Sequence, residues 1–264
     1  MNLELDGKRA LITGSTAGIG YAIAEALARE GADVIVNGRT EERIERAISA
    51  IRASYPGAKV QGLAADLGNF DGVRAAVERL PDVDILVNNL ATFDPKPFEQ
   101  IPDEEWFRFF EVNVMSGVRL SRQYLPGMKR RNWGRIVFIS SESAVQIPAE
   151  MIHYGMTKTA QLAISRGLAE TTAGTGVTVN AVLPGPTSSE GANKFVDRMA
   201  AASKQTKSEF EAEFFRSIRP SSLLKRFARP DEVAPLVVFL CSPLSAATNG
   251  AALRADGGVV RSIV

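Results

Sequence analysis

The stretch Thr13-Gly14-Ser15-Thr16-Ala17-Gly18-Ile19-Gly20 decides the fold of this chain. An apolar run over residues 9–14 leads into it, and a helical pattern over residues 18–30 follows it. Glycines in such a turn let the backbone approach a pyrophosphate, and the helix adds free N–H groups and the positive end of its dipole. The stretch therefore predicts a dinucleotide-binding loop, although glycines also end strands and cap helices for structural reasons alone.

Short apolar runs alternate with amphipathic stretches along the rest of the chain. Because the runs carry Val, Ile, Leu and Ala on both faces, they are typical of parallel strands covered by helices on both sides. This order predicts an α/β fold: a three-layer, Rossmann-type, doubly wound, mainly seven-stranded parallel sheet. The predicted strands are 9–14, 33–38, 59–66, 84–91, 134–141, 177–185 and 251–257, and the predicted helices are 18–30, 41–54, 70–80, 103–131, 151–172 and 230–240.

One segment breaks this alternation. Residues 186–229, here called the excursion, are rich in turn residues at the start and carry several Phe residues. A connection of this length in a compact domain is usually functional or mobile. Since no linker interrupts the chain, we expect residues 1–264 to form a single domain that includes the excursion.

The composition argues against several classes of protein. Lys and Arg number 31 against 30 Asp and Glu, and a net charge of +1 is too small for a protein that binds nucleic-acid phosphates by attraction. The single Cys241 forms no internal disulfide, and with one histidine a Cys/His zinc site is excluded. No apolar run reaches the ~18 residues of a membrane span, and residues 1–9 lack a signal-peptide core. We expect a cytoplasmic protein with no metal, nucleic-acid or membrane partner.

A second group of residues suggests acid–base chemistry. Tyr154 and Lys158 are four residues apart in a predicted helix and therefore share a face. A phenol has a pKa of about 10, and a nearby ammonium group lowers it toward neutrality. Ser141 closes the fifth strand, where open α/β sheets present ligand groups, with Ser140 and Ser143 as neighbouring alternatives. Each of these residues also has an ordinary structural interpretation when it is taken alone.

These motifs resemble those of the short-chain dehydrogenase/reductase family. The glycine stretch resembles its TGxxxGIG motif, residues 88–91 its NNAG, and residues 154–158 its YxxxK. The PG turn at 184–185 and the last-strand ending at 255–258 extend the match over nearly the whole chain. The resemblance implies an NAD(P)(H)-dependent oxidoreductase that interconverts a carbonyl and an alcohol by hydride transfer, on a small-molecule substrate that the sequence does not identify. It also implies that residues 1–264 form a single dinucleotide-binding catalytic domain, in which the excursion serves as a lid over the substrate. Members of the family form homodimers or homotetramers through the two long helices, and the same is expected here.

The resemblance assigns four catalytic roles. Tyr154 is the general acid in reduction, Lys158 tunes it, Ser141 holds the substrate oxygen, and Asn113 holds a water that extends the proton path. Leu90 and Ala91 depart from the family pattern, which has Ala and Gly beside the nicotinamide ribose. The implied cofactor-binding residues are Gly14, Ser15, Thr16, Gly18, Ile19, Gly20, Asn37, Arg39, Asp66, Leu67, Asn89, Tyr154, Lys158, Pro184, Gly185, Thr187 and Ser189.

The end of the second strand bears on the choice of cofactor. An acidic residue there would hold the ribose 2′-OH of NAD, but this chain has Asn37-Gly38-Arg39-Thr40. Arg39 offers instead a charged fork to a 2′-phosphate. The sequence therefore favours NADP(H), and NAD(H) stays possible because Arg39 also fits as a solvated turn residue.

Two other functions stay open at this point. A non-catalytic nucleotide-sensing scaffold would have no need of an intact Ser, Tyr and Lys set. An extended-branch nucleoside-sugar epimerase or dehydratase usually shows a G-x-x-G-x-x-G loop and a longer substrate domain, and this chain shows neither.

Several other residues are interpreted as structural. His153 is expected on a different helix face from Tyr154 and is therefore not expected to be catalytic. Cys241 is interpreted as an inert thiol in the core. Trp106 and Trp133 are interpreted as packing residues or subunit contacts. The Met and Phe residues of the excursion, with two further Phe residues, suggest a substrate with apolar surface, although such residues at helical spacing usually face a core. These residues are Phe93, Phe98, Phe195, Met199, Phe210, Phe214 and Phe215.

Overall fold

The computed structural model describes residues 2–263 and contains a sheet of seven parallel strands in the order β3-β2-β1-β4-β5-β6-β7. All seven predicted strands and the predicted fold class are confirmed. Most strands end one to three residues before the predicted boundary, because the chain turns there into the loops that line the site. The strands are β1 (Arg9–Ile12), β2 (Asp33–Gly38), β3 (Val60–Ala64), β4 (Ile85–Asn88), β5 (Gly134–Ile139), β6 (Val177–Pro184) and β7 (Ala252–Ala255).

Helices cover both faces of the sheet and complete the three layers. Helices α1, α2 and α9 bury Ile23, Ile44 and Val237 against one face. Helices α3, α5 and α6 bury Val73, Leu120 and their neighbours against the other face. The helices are α1 (Gly18–Arg29), α2 (Glu41–Ser54), α3 (Phe70–Arg79), α4 (Asp103–Phe110), α5 (Ser116–Arg130), α6 (Ile152–Glu170), α7 (Glu190–Ala202), α8 (Lys207–Glu213) and α9 (Pro230–Cys241).

The order of the strands places a crevice at the middle of the sheet. Ile12 of β1 lies opposite Val36 of β2 on one side and Val87 of β4 on the other. From β1 the chain builds outward to β3, and it then returns to start again at β4. Such a reversal leaves a crevice at the carboxyl ends of the two central strands, which is where open α/β sheets bind ligands.

The predicted helix over residues 103–131 is interrupted. A π turn, Glu111–Met115, lies between α4 and α5 and contains Asn113. A π turn inserts one residue into a helix, and such turns occur frequently at functional sites. The interruption faces the crevice side of the fold, because Asn113 contacts the loop that follows β4.

The excursion folds into helices rather than an irregular loop. It contains α7, α8 and a second π turn, Phe214–Ile218. Phe210, Phe214 and Phe215 are buried against one another and against α7, so they form a small core of the excursion itself. These Phe residues thus pack mainly within the excursion. The expectation of a substrate with apolar surface stays a prediction.

Within residues 2–263, no helix combines the length and the apolar character needed to cross a membrane. In the same part of the chain, no cluster of three or more His, Cys, Asp or Glu side chains is arranged to hold a metal ion. Cys241 is fully buried in α9, and this burial raises the pKa of its thiol to about 12.

Candidate active site

A cavity of 760 Å³ occupies the crevice at the carboxyl ends of β1 and β4. It is lined by every residue predicted for the site except Ser15 and Asn113. A volume of this size lies within the range of pockets that hold cofactors and small ligands. The structure thus brings the glycine-rich loop and the Ser141, Tyr154 and Lys158 group to one cavity.

The glycine-rich loop has the shape of a phosphate cradle. Gly14 and Gly18 adopt φ values of +61° and +58°, which side chains rarely allow. A Cβ atom at Gly20 would lie only 2.5 Å from the amide nitrogen of Asn89. Helix α1 then begins at Gly18, and no side chain caps its first N–H groups. These features fit the pyrophosphate of a dinucleotide, which needs close backbone approach and free N–H donors.

Three polar side chains hold this loop in place. Ser15 is buried beneath it, donates to a β1 carbonyl oxygen at 2.7 Å, and accepts from the N–H of Asn37 at 2.9 Å. Asn37 accepts from the N–H of Gly14 at 3.0 Å and donates to two carbonyl oxygens at the end of β3. Asn89 donates to the carbonyl oxygens that flank the first glycine. Ser15 and the Asn37 side chain thus support the loop, and their contacts with a cofactor stay predictions.

Two arginines line the part of the cavity beside the second strand. Arg39 is exposed, and among the described residues its side chain has no hydrogen-bond or ion-pair partner. Arg43, which the sequence analysis missed, lies in the first turn of α2 and pairs with Glu190 at 2.5 Å. Arg43 and Lys194 together lower the pKa of Glu190 to about 2. Arg43 could have been predicted as a site residue, because it follows Arg39 by four residues beside the predicted ribose site.

The base of the excursion touches the glycine-rich loop. A Cβ atom added at Gly18 would lie 3.1 Å from the β-carbon of Ser189. The Ser189 hydroxyl also caps α7, because it accepts a hydrogen bond from a backbone N–H of that helix at 3.2 Å. Thr187 donates to the carbonyl oxygen of Gly185 at 2.9 Å. At Gly185 itself a Cβ would lie 2.4 Å from a backbone oxygen, so the predicted turn after Pro184 requires glycine.

The adenine end carries the remaining predicted residues. Asp66 is exposed at the mouth of the cavity, and its Oδ1 accepts from the N–H of Gly68 at 3.1 Å. Leu67 is buried and lines the cavity beside it. Asp66 thus serves as a turn cap and still presents its carboxylate to the cavity.

Tyr154 and Lys158 share one face of α6, as their spacing predicts. Burial raises the pKa of Tyr154, the Glu142 carboxylate raises it further, and a hydrogen bond with Ser141 acts in the opposite direction. Lys158 Nζ lies 5.5 Å from the centre of the Tyr154 ring and donates to the carbonyl oxygen of Ile139 at 2.9 Å. Burial lowers the pKa of Lys158 to about 7. The net effect is a raised pKa for Tyr154, set by burial and by Glu142, and no lowering by Lys158 contributes to it.

Asn113 connects to Lys158 through a side chain that the sequence analysis missed. The Asn113 side chain is buried and donates to Thr157 at 3.0 Å. The main-chain carbonyl oxygen of Asn113 accepts from Gln161 Nε2 at 2.5 Å, and Gln161 Oε1 accepts from Lys158 Nζ at 3.3 Å. Gln161 thus links the main chain of Asn113 to Lys158, and the water that the family resemblance implies at Asn113 stays a prediction.

Glu142 is a second functional candidate that the sequence analysis missed. It follows Ser141 directly, and its carboxylate accepts from the Ser141 hydroxyl at 2.5 Å. Arg219, from the end of the excursion, donates to Glu142 at 3.2 Å and to Glu150 at 3.1 Å. A charged residue next to a predicted catalytic serine was the signal for Glu142, whereas nothing in the sequence indicated its pairing with Arg219.

His153 lies away from the cavity, as its helix position predicts. It is fully buried, and its ring lies 4.1 Å from that of Phe109 and 5.8 Å from that of Trp106, centre to centre. Burial lowers the pKa of His153, and its Nε2 lies 3.5 Å from a Glu105 oxygen. These contacts place His153 and Trp106 in the packing between α4 and α6.

A model of the short chain dehydrogenase family matches residues 8–200. The chain belongs to this family. An uncharacterized oxidoreductase of Bacillus subtilis, YvaG, is 52% identical to it over 100% of both chains. The D-beta-hydroxybutyrate dehydrogenase of Cupriavidus necator is 36% identical over 97% of this chain and 99% of the relative. The crystal structure of L-sorbose reductase from Gluconobacter frateurii, complexed with NADPH and L-sorbose, superposes with a TM-score of 0.94 at 32% identity and covers 100% of both chains.

This short-chain dehydrogenase is an NAD(P)(H)-dependent oxidoreductase that interconverts a carbonyl and an alcohol. The assignment decides against the nucleotide-sensing scaffold and the extended-branch epimerase that the sequence left open.

Proposed function

We propose that this short-chain dehydrogenase reduces a small carbonyl compound with NADPH, using Tyr154 as the general acid. The observation that carries the proposal is the joint presence of Ser141, Tyr154 and Lys158 in the cavity that also contains the glycine-rich cradle. When NADPH is bound, its nicotinamide ring supplies a hydride to the carbonyl carbon. The Tyr154 hydroxyl gives its proton to the carbonyl oxygen, and the product is an alcohol.

The charges around Tyr154 suit this direction of proton transfer. A raised pKa keeps the phenol protonated at neutral pH, so it is ready to act as a donor. Lys158, with a pKa of about 7, exchanges protons readily in that range and returns one to the phenolate. Ser141 donates to Glu142 and therefore accepts from the substrate hydroxyl; a rotation of its own hydroxyl lets it donate to a carbonyl oxygen instead.

NADP(H) is proposed as the preferred cofactor, with NAD(H) as the weaker alternative. Arg39 supports this choice because its guanidinium group is exposed at the ribose end and has no partner among the described residues. The sorbose reductase that superposes on this chain is complexed with NADPH, which supports the same choice. In the proposed complex, Gly14, Thr16, Gly18 and Ile19 cradle the pyrophosphate.

Three further features are part of the proposal. The excursion acts as a lid, since its base rests on the glycine-rich loop and its end reaches Glu142. The protein forms a homodimer or homotetramer through α4, α5 and α6, for which the exposed Phe107 and Phe110 on α4 offer apolar contact surface. A cytoplasmic location agrees with a single buried Cys241 that needs no oxidising compartment.

A spectrophotometric assay tests the proposed activity. NADPH oxidation is followed against a panel of ketones and aldehydes, with wild type and Tyr154→Phe measured side by side. We expect wild type to oxidise NADPH with at least one compound, and Tyr154→Phe to lose turnover while its NADPH affinity changes little. A Tyr154→Phe variant with the wild-type rate on the best substrate would remove Tyr154 from the mechanism.

A further inference from the structure

The cavity beyond Tyr154, on the side away from the glycine-rich loop, is dominated by two carboxylates and one cation. Arg219 donates from Nε to Glu142 and from Nη1 to Glu150. The side chains of Arg219 and Glu142 are 8% and 7% exposed, so their ion pair is almost fully removed from solvent. Glu150 is 42% exposed at the rim of the same space. With one positive and two negative groups, this substrate end carries a net negative charge.

Among the described residues, the other cations that line the cavity are either engaged or, like the unpaired Arg39, lie at the ribose end. Arg43 and Lys194 both pair with Glu190 beside the ribose end. Lys158 lies below Tyr154 and donates to the main chain and to Gln161. Among the described residues, the substrate end therefore offers a carboxylate no unpaired cation. Arg219 is already shared between Glu142 and Glu150, so an anion brought there would add a third negative charge beside a single positive one. Such like-charge contacts in a desolvated site are costly.

A hydroxyl group meets a different environment at the same place. The carboxylate oxygens of Glu142 and Glu150 can accept hydrogen bonds from a hydroxyl group. Arg219 Nη2 has no partner among the described residues and can donate a hydrogen bond to it. A hydroxyl both donates and accepts, so it can use both kinds of group. The walls beside them are apolar: the Phe93 ring lies 6.3 Å from the ring of Tyr154, and Phe214 lies under the guanidinium of Arg219. Apolar walls with a few convergent polar groups are typical of small-ligand sites.

We propose that the substrate is an uncharged carbonyl compound that carries hydroxyl groups, and that Glu142 and Glu150 select it against carboxylates of the same shape. This inference rests on the proposed function, because it assigns the substrate class of the same cavity. It also separates this chain from a relative that is named for hydroxybutyrate, a carboxylate.

Two matched pairs of compounds isolate the effect of charge. L-sorbose and 5-keto-D-gluconate differ only in a terminal CH₂OH or COO⁻ group, and so do 4-hydroxybutan-2-one and acetoacetate. For each pair, kcat/KM is measured for both compounds and expressed as the ratio of the hydroxyl compound to the carboxylate compound. The same ratio is taken for the binding affinities, measured by calorimetry on the cofactor-saturated protein. We expect wild type to favour the hydroxyl compound by about tenfold or more in the pair that fits the cavity.

Neutralising variants test whether the carboxylates cause the preference. In Glu150→Gln and Glu142→Gln, the ratio should fall by about tenfold through a gain with the carboxylate compound. The ratio within one variant cancels any general loss of rate, which matters for Glu142 because it contacts Ser141. Glu45→Gln, an exposed change on α2 outside the cavity, is the matched control and should leave the ratio unchanged.

The outcomes separate this inference from the proposed function. Equal or tighter binding of the carboxylates by wild type would overturn the inference, and so would a preference that neither Gln variant alters. Failure of both hydroxyl compounds to bind would overturn it as well. If the binding preference is found but no carbonyl supports NADPH oxidation, the inference stands and the proposed function fails.

Discussion

Lys158 shows how far burial changes the chemistry of one side chain. Its pKa is lowered from 10.5 to about 7, because burial removes the amine from water and no carboxylate among the described residues offsets that effect. In the unfolded chain it regains the ordinary pKa of a lysine. Between about pH 7 and 10.5 the unfolded state therefore binds more protons than the folded state, and stability rises with pH over that window.

A comparison with Lys158→Met tests this linkage. Methionine does not titrate, so the difference in unfolding free energy between the two proteins isolates the lysine. We expect wild type to gain stability relative to Lys158→Met as the pH rises from about 7 toward 10, measured by urea denaturation. A constant difference across this range would mean that Lys158 keeps its proton in the folded protein.

Arg39 and Arg43 differ in their freedom to meet a phosphate. Arg39 has no partner among the described residues, whereas Arg43 is held by Glu190 and Thr16. Arg39→Ala should weaken NADPH binding by about tenfold to a hundredfold and NADH binding far less, since a charged hydrogen bond contributes about 1.5–3 kcal/mol. The KM values of both cofactors are measured for wild type, Arg39→Ala and Arg43→Ala, with the smaller loss expected for Arg43→Ala.

The opposite result would identify Arg39 as a turn residue. In that case the wild-type protein prefers NADH, and Arg39→Ala leaves this preference unchanged. Introducing an acid at Gly38 is a poorer test, because a Cβ there would lie 2.5 Å from a Thr16 methyl carbon and would move the glycine-rich loop.

At the scale of elements, a buried ion pair anchors the end of the excursion. Arg219 reaches Glu142, 77 residues away in sequence. Removing one partner of a buried pair leaves the other charge uncompensated, which typically costs about 3–5 kcal/mol. Arg219→Met should therefore release the second half of the excursion, and trypsin should cleave within residues 204–216 faster than in wild type.

Arg216→Met is the matched control for this experiment. Arg216 lies in the π turn that ends directly before Arg219, but it is exposed and, among the described residues, pairs only with Glu213. Exposed pairs contribute little, so this variant should be cleaved at the remaining sites at the wild-type rate. Equal cleavage rates for the Arg219 and Arg216 variants would contradict the anchoring role of Arg219.

The elements also show which features the sequence determines locally. The seven strands were predictable because buried parallel strands are apolar on both faces, a signal contained in each run of residues. The π turn around Asn113 was not, since one inserted residue leaves the apolar pattern of a helix almost unchanged. The Ser141, Tyr154 and Lys158 group followed from spacing and family motifs. The contacts of Arg219 with Glu142 and of Arg43 with Glu190 join distant segments, so only the folded chain contains them.

At the scale of the whole molecule, the proposed oligomer makes a prediction about mass. Phe107 and Phe110 of α4 are 74% and 40% exposed, and large exposed apolar side chains are typical of interfaces. Light scattering at micromolar concentration should give two or four times 28.4 kDa, and Phe107→Glu should lower that mass. Phe70→Glu, a similarly exposed change on α3, is the control and should leave the mass unchanged. A wild-type mass of 28.4 kDa would argue against the oligomer.

The rate at which the Cys241 thiol reacts with a reagent can report how often the core of this protein opens. Cys241 is the last residue of α9 and is fully buried, and a thiol pKa of about 12 leaves almost no thiolate at neutral pH. An alkylating reagent can therefore reach it only when α9 separates from the sheet or the whole chain unfolds. The rate of labelling, followed by mass spectrometry, thus reports how often the core opens in the native protein. A ligand that binds the folded cavity should slow the reaction in proportion to its affinity, which provides a screen for ligands that needs no knowledge of the reaction.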